Sequence, residues 1–298
     1  MTVTATAAPA LGLLLDVDGP IASPITRSIN LPEITRDLVA LATAGIPLIF
    51  NTGRSDTFIR NEVVIPLLDA GLPAFSRVHG VCEKGAVWFS IGPQFGGEGM
   101  GQIRVDESLA MPHDFAVEMD ELVSAEFGGS VFFDHTKRAM VSVEQLTSID
   151  TATYLPIQKT FDARAMAALI ERGYGVRRLD DVRQDANGQV QWRIDPTIIS
   201  SDIESVVLGK DLGARRALEL LALDGPLPLA WRTMGDSRSD YAMADWLDEH
   251  GYDVAHVDVR PADGVPEKAY PILVSETGAI HDEAGAEFLS GWVSVVNG

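Results

Sequence analysis

Leu11-Gly12-Leu13-Leu14-Leu15-Asp16-Val17-Asp18-Gly19 runs from an apolar stretch straight into two carboxylates and a turn. An apolar run this short and unbroken reads as a strand buried on both faces, the kind found in parallel sheets. Two more stretches repeat the design: Ile46-Pro47-Leu48-Ile49-Phe50 leads into Asn51-Thr52-Gly53-Arg54, and Leu229-Ala230-Trp231-Arg232-Thr233-Met234 leads into Gly235-Asp236-Ser237. Helical patterns lie between and after them. Pro32 to Ala44 opens with Pro and Glu, sets Leu38 and Leu41 on one face and has Gly45 just past its end. Leu212 to Leu223 and Tyr241 to His250 also read as helices. Strands alternating with helices imply an α/β fold with a doubly wound, Rossmann-like parallel sheet. Ligands of such sheets sit at the carboxyl ends of the strands, so three polar segments far apart in sequence are expected to converge.

The middle of the chain has another character. From about Trp88 to Ser200 the pattern alternates more and runs apolar less. Ser130 to Asp134 and Arg138 to Glu144 resemble a pair of strands, Asp162 to Arg172 a helix and Gln189 to Ile194 another strand. The expectation is an inserted α+β domain over residues 88–200, with residues 1–87 and 201–298 forming the core. Gly92 to Gly101 is read as a linker or mobile loop leading into the insertion.

Composition bounds the partners. The chain has 298 residues, 46% of them hydrophobic, enough for a sizeable core of one large or two modest domains. No apolar run reaches the length of a transmembrane helix. Residues 1–9 lack the basic start of a secretory signal and read as a frayed tail. A net charge of −20 argues against nucleic acid and anionic membranes as partners. The lone cysteine, Cys82, excludes an internal disulfide and fits a reducing, cytoplasmic setting. The six histidines show no metal-ligand spacing.

The polar strand ends carry the chemistry. Of the carboxylates Asp16 and Asp18, one can attack phosphorus while the other protonates the leaving oxygen and later activates water. Asp236 and Asp240 add two more carboxylates. Anionic oxygens gathered without sulfur or imidazole suit a hard cation, Mg²⁺. Thr52 offers a hydroxyl, the amides around Gly53 can cradle phosphate oxygens, and Lys210 can neutralise charge on a phosphoryl group in transfer. Singly, each feature reads as well as a turn, a helix cap or a solvated charge. Their order, each at a strand end or helix start, is what points to phosphoryl transfer.

At these residues the sequence resembles the haloacid dehalogenase-like hydrolase superfamily. Asp16-Val17-Asp18-Gly19 is similar to its first motif, Asn51-Thr52-Gly53-Arg54 to its second, Lys210 to its third and Gly235-Asp236-Ser237-Arg238-Ser239-Asp240 to its fourth. The resemblance implies that Asp16 is the nucleophile, Asp18 the acid and base, and that Thr52 and Lys210 serve the phosphate. It implies Mg²⁺ held by the Asp16 carboxylate, the Asp18 backbone carbonyl and Asp236, with Asp240 in support. Gly19, Gly53 and Arg54, within the first two motifs, are the substrate-binding candidates. The large insertion falls between Thr52 and Lys210, as in the Cof-type branch with its sugar phosphatases, where it forms a cap. Glu83-Lys84-Gly85-Ala86 is similar to the Glu-Asn-Gly-Ala of that branch, with lysine in place of asparagine.

The leading expectation is therefore a phosphatase of a sugar, sugar-acid or polyol phosphate. Its alternatives are a phosphomutase of the phosphomannomutase type, whose cap arginines (here Arg138, Arg177, Arg178 and Arg193 are candidates) would grip a second phosphate, and a non-catalytic phosphometabolite-binding protein.

Overall fold

The computed structural model describes residues 7–297, so residues 1–6 of the stretch read as a tail lie outside the described residues. The chain opens with β1 (Leu11–Leu15), α1 (Pro32–Thr43) and β2 (Leu48–Asn51). Helices α2 (Asp56–Ile59) and α3 (Ile65–Asp69) follow, joined by a π-helical turn, and then β3 (Val78–Cys82), β4 (Val87–Ile91) and β5 (Arg104–Val105). Next come α4 (His113–Leu122), β6 (Val131–Phe133), β7 (Val141–Gln145), α5 (Thr151–Glu171), β8 (Val176–Arg178), β9 (Asp181–Arg183), β10 (Trp192–Pro196) and β11 (Ser200–Ser205). The chain closes with α6 (Lys210–Asp224), β12 (Ala230–Gly235), α7 (Tyr241–Glu249), β13 (Asp253–Asp258), β14 (Ile272–Leu273) and α8 (His281–Asn297).

These elements form two compact units, residues 1–104 with 209–298 and residues 105–208. The first is built on an eight-stranded sheet in the order β14-β13-β12-β1-β2-β3-β4-β5. Its strands from β14 to β3 pair in parallel, and β4 returns antiparallel to β3. β1 lies near the middle, and its last four residues are buried because helices cover both faces of a parallel sheet. Leu14 and Ile49 pack with Ala217 and Leu221 of α6 and Met243 and Leu247 of α7, while α1 packs against α8. Among the described residues no helix is long and apolar enough to cross a membrane.

The second unit carries a six-stranded sheet, β6-β7-β11-β10-β8-β9, with its own apolar core. Phe115 and Met119 of α4 and Phe161, Ala165 and Leu169 of α5 pack on Val141, Val143, Val176, Ile194 and Ile203 of the strands. The alternate residues along these strands are polar, among them Ser142, Arg193, Asp202 and Glu204, and the sheet is antiparallel except where β8 pairs parallel with β10.

The unit boundaries fall at 104/105 and 208/209, not at the 87/88 and 200/201 expected from sequence. β4 alternates like a strand of the insertion, yet it pairs in register with β3 from Val78↔Ile91 to Cys82↔Val87. β11 in turn pairs antiparallel with β10 and β7, which keeps residues 200–205 in the inserted sheet. Gly92 to Gly101 is not a free linker: Gly92 N–H donates to Gly99 O (2.9 Å) and Gly101 N–H to Ser90 O (2.8 Å), fixing the loop on β4. Helix α5 begins at Thr151, well before the expected Asp162. Asp150 caps it by accepting from Thr153 N–H at 2.9 Å, and Pro156 sits in its second turn, where it forfeits only one early hydrogen bond.

Candidate active site

The four polar segments meet at the carboxyl ends of β1, β2 and β12 and at the N-terminus of α6. Asp16 follows β1 directly and is buried; its N–H donates to Met234 O (2.9 Å) on the neighbouring β12. Its Oδ1 accepts from Val17 N–H at 2.7 Å. The loop then curls back, with Ala22 N–H donating to Val17 O (2.8 Å). Gly19 in this loop has φ +94°, and a Cβ there would lie 2.7 Å from the Asp236 side chain. The glycine thus lets β1 and β12 bring their carboxylates together.

Thr52 follows β2 and is fully buried, with its Oγ1 accepting from Arg54 N–H at 3.1 Å. Arg54, a substrate-binding candidate by sequence, grips Asp18: Nε donates to Oδ2 and Nη2 to Oδ1, each at 2.9 Å. Its guanidinium also lies 4.7 Å from the Phe58 ring centroid. The two aspartates of the first motif therefore have different surroundings. Asp18 is held in a bidentate ion pair, which fixes its carboxylate plane.

Asp16 instead meets Lys210, the first residue of α6. Lys210 Nζ lies 2.8 Å from Asp16 Oδ1 and 2.5 Å from Asp240 Oδ1, and donates to Asn51 O at 2.9 Å. Asn51 returns a bond from Nδ2 to Lys210 O at 2.9 Å. This reciprocal tie needs Gly213, where a Cβ would fall 2.0 Å from Asn51 Oδ1. The sequence reading assigned Asn51 no role, because its partner is 159 residues away.

The fourth segment turns from β12 into α7 through a capping box. Asp240 Oδ2 accepts from Ser237 N–H (2.9 Å), Ser237 Oγ (2.7 Å) and Asp236 N–H (3.2 Å). These bonds turn Asp240 Oδ1 toward Lys210. One carboxylate oxygen from each of Asp16, Asp236 and Asp240 lies within 4.8 Å of the others. His281, at the start of α8, places Nδ1 3.9 Å from Asp236 Oδ2, a neighbour with no sequence signal.

Burial dominates the electrostatics. It pushes Asp16 well above the usual carboxylate range, and Asp240 adds to the rise against the pull of Lys210. Asp240 is equally desolvated, yet the Lys210 charge and the Ser237 hydrogen bonds outweigh this and hold it below its ordinary value. Lys210 is pulled down by burial, but Asp16 and Asp240 win and keep it charged. Asp236 is pushed up to about 6, by burial first and by Asp240 second. One ammonium thus faces three clustered carboxylates, a deficit of positive charge that a divalent cation would offset. The oxygen-only donor set of Asp16, Asp236 and Asp240 fits Mg²⁺. The Asp18 carboxylate, turned to Arg54, is not in this set, which leaves only its backbone carbonyl for the metal role expected of it.

The fold is that of the haloacid dehalogenase-like hydrolases. The C-terminal domain of trehalose-6-phosphate phosphatase from C. albicans superposes with a TM-score of 0.64 at 13% identity, covering 97% of this chain and 94% of that one. A haloacid dehalogenase-like hydrolase from Bacteroides thetaiotaomicron matches with a TM-score of 0.58 at 10% identity, over 96% of this chain and 100% of the other. Trehalose-6-phosphate phosphatase from Aspergillus fumigatus gives 0.52 at 13% identity, over 97% and 93%. Comparison with protein families and with curated protein sequences finds no match.

Proposed function

We propose that the chain is a Mg²⁺-dependent phosphatase that hydrolyses the phosphate monoester of a small metabolite, a sugar or sugar-acid phosphate, through an aspartyl-phosphate on Asp16. The observation that carries this reading is the pairing of Asp16 with Lys210 beside the Asp236 and Asp240 carboxylates, with a second aspartate, Asp18, two residues on. Likeness of fold to two trehalose-6-phosphate phosphatases favours a sugar phosphate. The unit of residues 105–208 would serve as the cap that selects the leaving group.

In the first half-reaction Asp16 attacks phosphorus. The P–O bond to the leaving group breaks, and Asp18 gives that oxygen its proton. Lys210 and Val17 N–H both hold Asp16 Oδ1, which orients Oδ2 for attack. Thr52 and the amides near Gly53 bind phosphate oxygens. In the second half, water attacks the acyl phosphate, Asp18 takes its proton, and the P–O bond to Asp16 breaks to give orthophosphate. Bound Mg²⁺ would offset repulsion between the carboxylates and the phosphate dianion. Arg54 orients the ionised Asp18 carboxylate that takes the proton from water in the second half, a positioning role.

Two of the four arginines that a mutase reading would use are already engaged within the inserted unit. Arg178 is bound to Asp162 at 2.7 Å and Arg193 to Glu204 at 2.6 Å, so both guanidiniums serve buried carboxylates there. The deciding experiment is orthophosphate release from a panel of phosphorylated sugars and sugar acids, with Mg²⁺ and with chelator. Metal-dependent release that disappears in Asp16→Asn is the expected result; undiminished release by that variant would overturn the assignment.

A further inference from the structure

His281 opens α8 with a left-handed backbone, φ 52°. A residue other than glycine keeps that conformation only where its surroundings fix it, and such residues cluster at functional sites. Two hydrogen bonds in series fix it here. Val259, which follows β13, donates its N–H to Gly235 O (3.0 Å), and His281 N–H donates to Val259 O (2.8 Å). The His281 backbone is thereby tied, through one residue, to the carbonyl just before Asp236. One turn further along, the same helix presses on the loop of the first motif: a Cβ on Gly285 would lie 1.8 Å from Pro20 O. Pro20 adjoins Gly19, where the Asp236 side chain needs the space of the missing Cβ. The start of α8 is therefore set in register with both segments that flank Asp236.

The side chain follows from that backbone. His281 Nδ1 lies 3.9 Å from Asp236 Oδ2. Nδ1 is buried and makes no hydrogen bond among the described residues, which costs free energy unless a partner comes within reach. The gap to Asp236 is on the order of 1 Å longer than an N–H···O bond, and a small turn of either side chain closes it. His281 stands outside the clustered oxygens of Asp16, Asp236 and Asp240, so it acts through Asp236 and not as a ligand of its own. We propose that His281 is a positioning residue of the cation site: with its proton on Nδ1 it donates to Asp236 Oδ2 and holds that carboxylate ready for Mg²⁺. Partners behind a metal ligand fix its orientation in this way. The inference rests on the proposed Mg²⁺ site and not on turnover.

Calorimetric titration with Mg²⁺ compares wild type with His281→Gly and His281→Asn, and thermal melting without metal checks that each variant folds. Glycine adopts the left-handed backbone freely and removes the ring; asparagine tolerates that backbone and keeps an N–H donor near the place of Nδ1. The Mg²⁺ Kd should rise about tenfold in His281→Gly, the lower end for such partners, because the charge of Arg260 also acts on Asp236. His281→Asn should stay within about threefold of wild type. A Kd within about twofold of wild type in His281→Gly would overturn the proposal, since a merely structural histidine moves the melting temperature and leaves the affinity alone. An asparagine variant as weak as the glycine one would overturn it too, because the donor nitrogen would then count for nothing. A wild type that binds no Mg²⁺ would remove the cation site and the proposal together. Mg²⁺ binding that depends on His281, in a protein releasing no phosphate from any ester, would overturn the phosphatase reading and leave His281 in place.

Discussion

Asp16 and Asp18 stand two residues apart and end in different electrostatic company, one beside a buried ammonium and the other in the fork of a guanidinium. That contrast sets what each can do. If Asp16 is the nucleophile, as proposed, Asp16→Asn removes the attacking carboxylate and keeps the shape, so phosphate release should fall by about three orders of magnitude or more while the melting temperature holds. Arg54→Ala leaves Asp18 without its orienting partner, and kcat should fall on the order of tenfold, with Arg54→Lys recovering only part because lysine cannot make the bidentate contact. Steady-state kinetics on the two Arg54 variants checks this. Residue identities at the strand ends were legible in the sequence, since carboxylates and glycines directly after apolar runs are informative. The partner of Arg54 was not: an arginine after Thr-Gly reads equally well as a ligand for substrate, and only the meeting of two loops gave it to Asp18.

At the scale of elements, α7 owes its start to the capping box, and Asp240 gains its direction from the same bonds. Ser237→Ala should cost about 1 kcal/mol of stability in urea unfolding. It should also lower turnover, since Asp240 would lose the hydroxyl that holds Oδ2 away from Lys210. Behind this helix, His256 of β13 is fully buried, hydrogen-bonded at 2.7 Å to Thr233 Oγ1, with its ring 4.2 Å from Tyr241. Burial lowers its pKa from 6.5 to about 4. The unfolded chain therefore binds the proton more readily, and the stability linked to neutral His256 is complete above pH 6.5 and lost as pH falls toward 4. The full span of that loss is roughly 3 kcal/mol. Subtracting the unfolding free energy of His256→Gln from that of wild type at pH 7.5 and pH 5 isolates the effect, and an unchanged difference would refute it. Helix and strand identities in the core followed from apolar periodicity. The start of α5 did not, because Pro156 reads as a breaker until Asp150 is seen capping the turn before it.

For the whole molecule, three of the carboxylates behind the net charge of −20 gather at one site, where Lys210 pairs with two of them, Asp16 and Asp240. Mg²⁺ should raise the melting temperature, because a ligand bound only by the folded state at a hundred times its Kd adds about 2.7 kcal/mol. Asp236→Asn should abolish most of that shift, and an equal shift in both proteins would exclude Asp236 from the cation site. The two-unit organisation was visible as a change from apolar runs to alternation, but its borders were displaced at both ends. Alternation reports that a strand has one covered face; it does not say which sheet the strand joins, and β4 and β11 were separated only by their partners. The sequence by itself determined a parallel α/β core, an insertion between the second and third polar segments, and the residues that gather at the strand ends. These depend on local periodicity and on residue type, which neighbours in the chain reveal. Only the tertiary structure decided which cation faces which carboxylate, that Gly19 and Gly213 exist to let side chains approach, and that His281 stands beside Asp236. Those are contacts across tens to hundreds of residues, set by the packing of side chains from separate elements, and no local pattern encodes them.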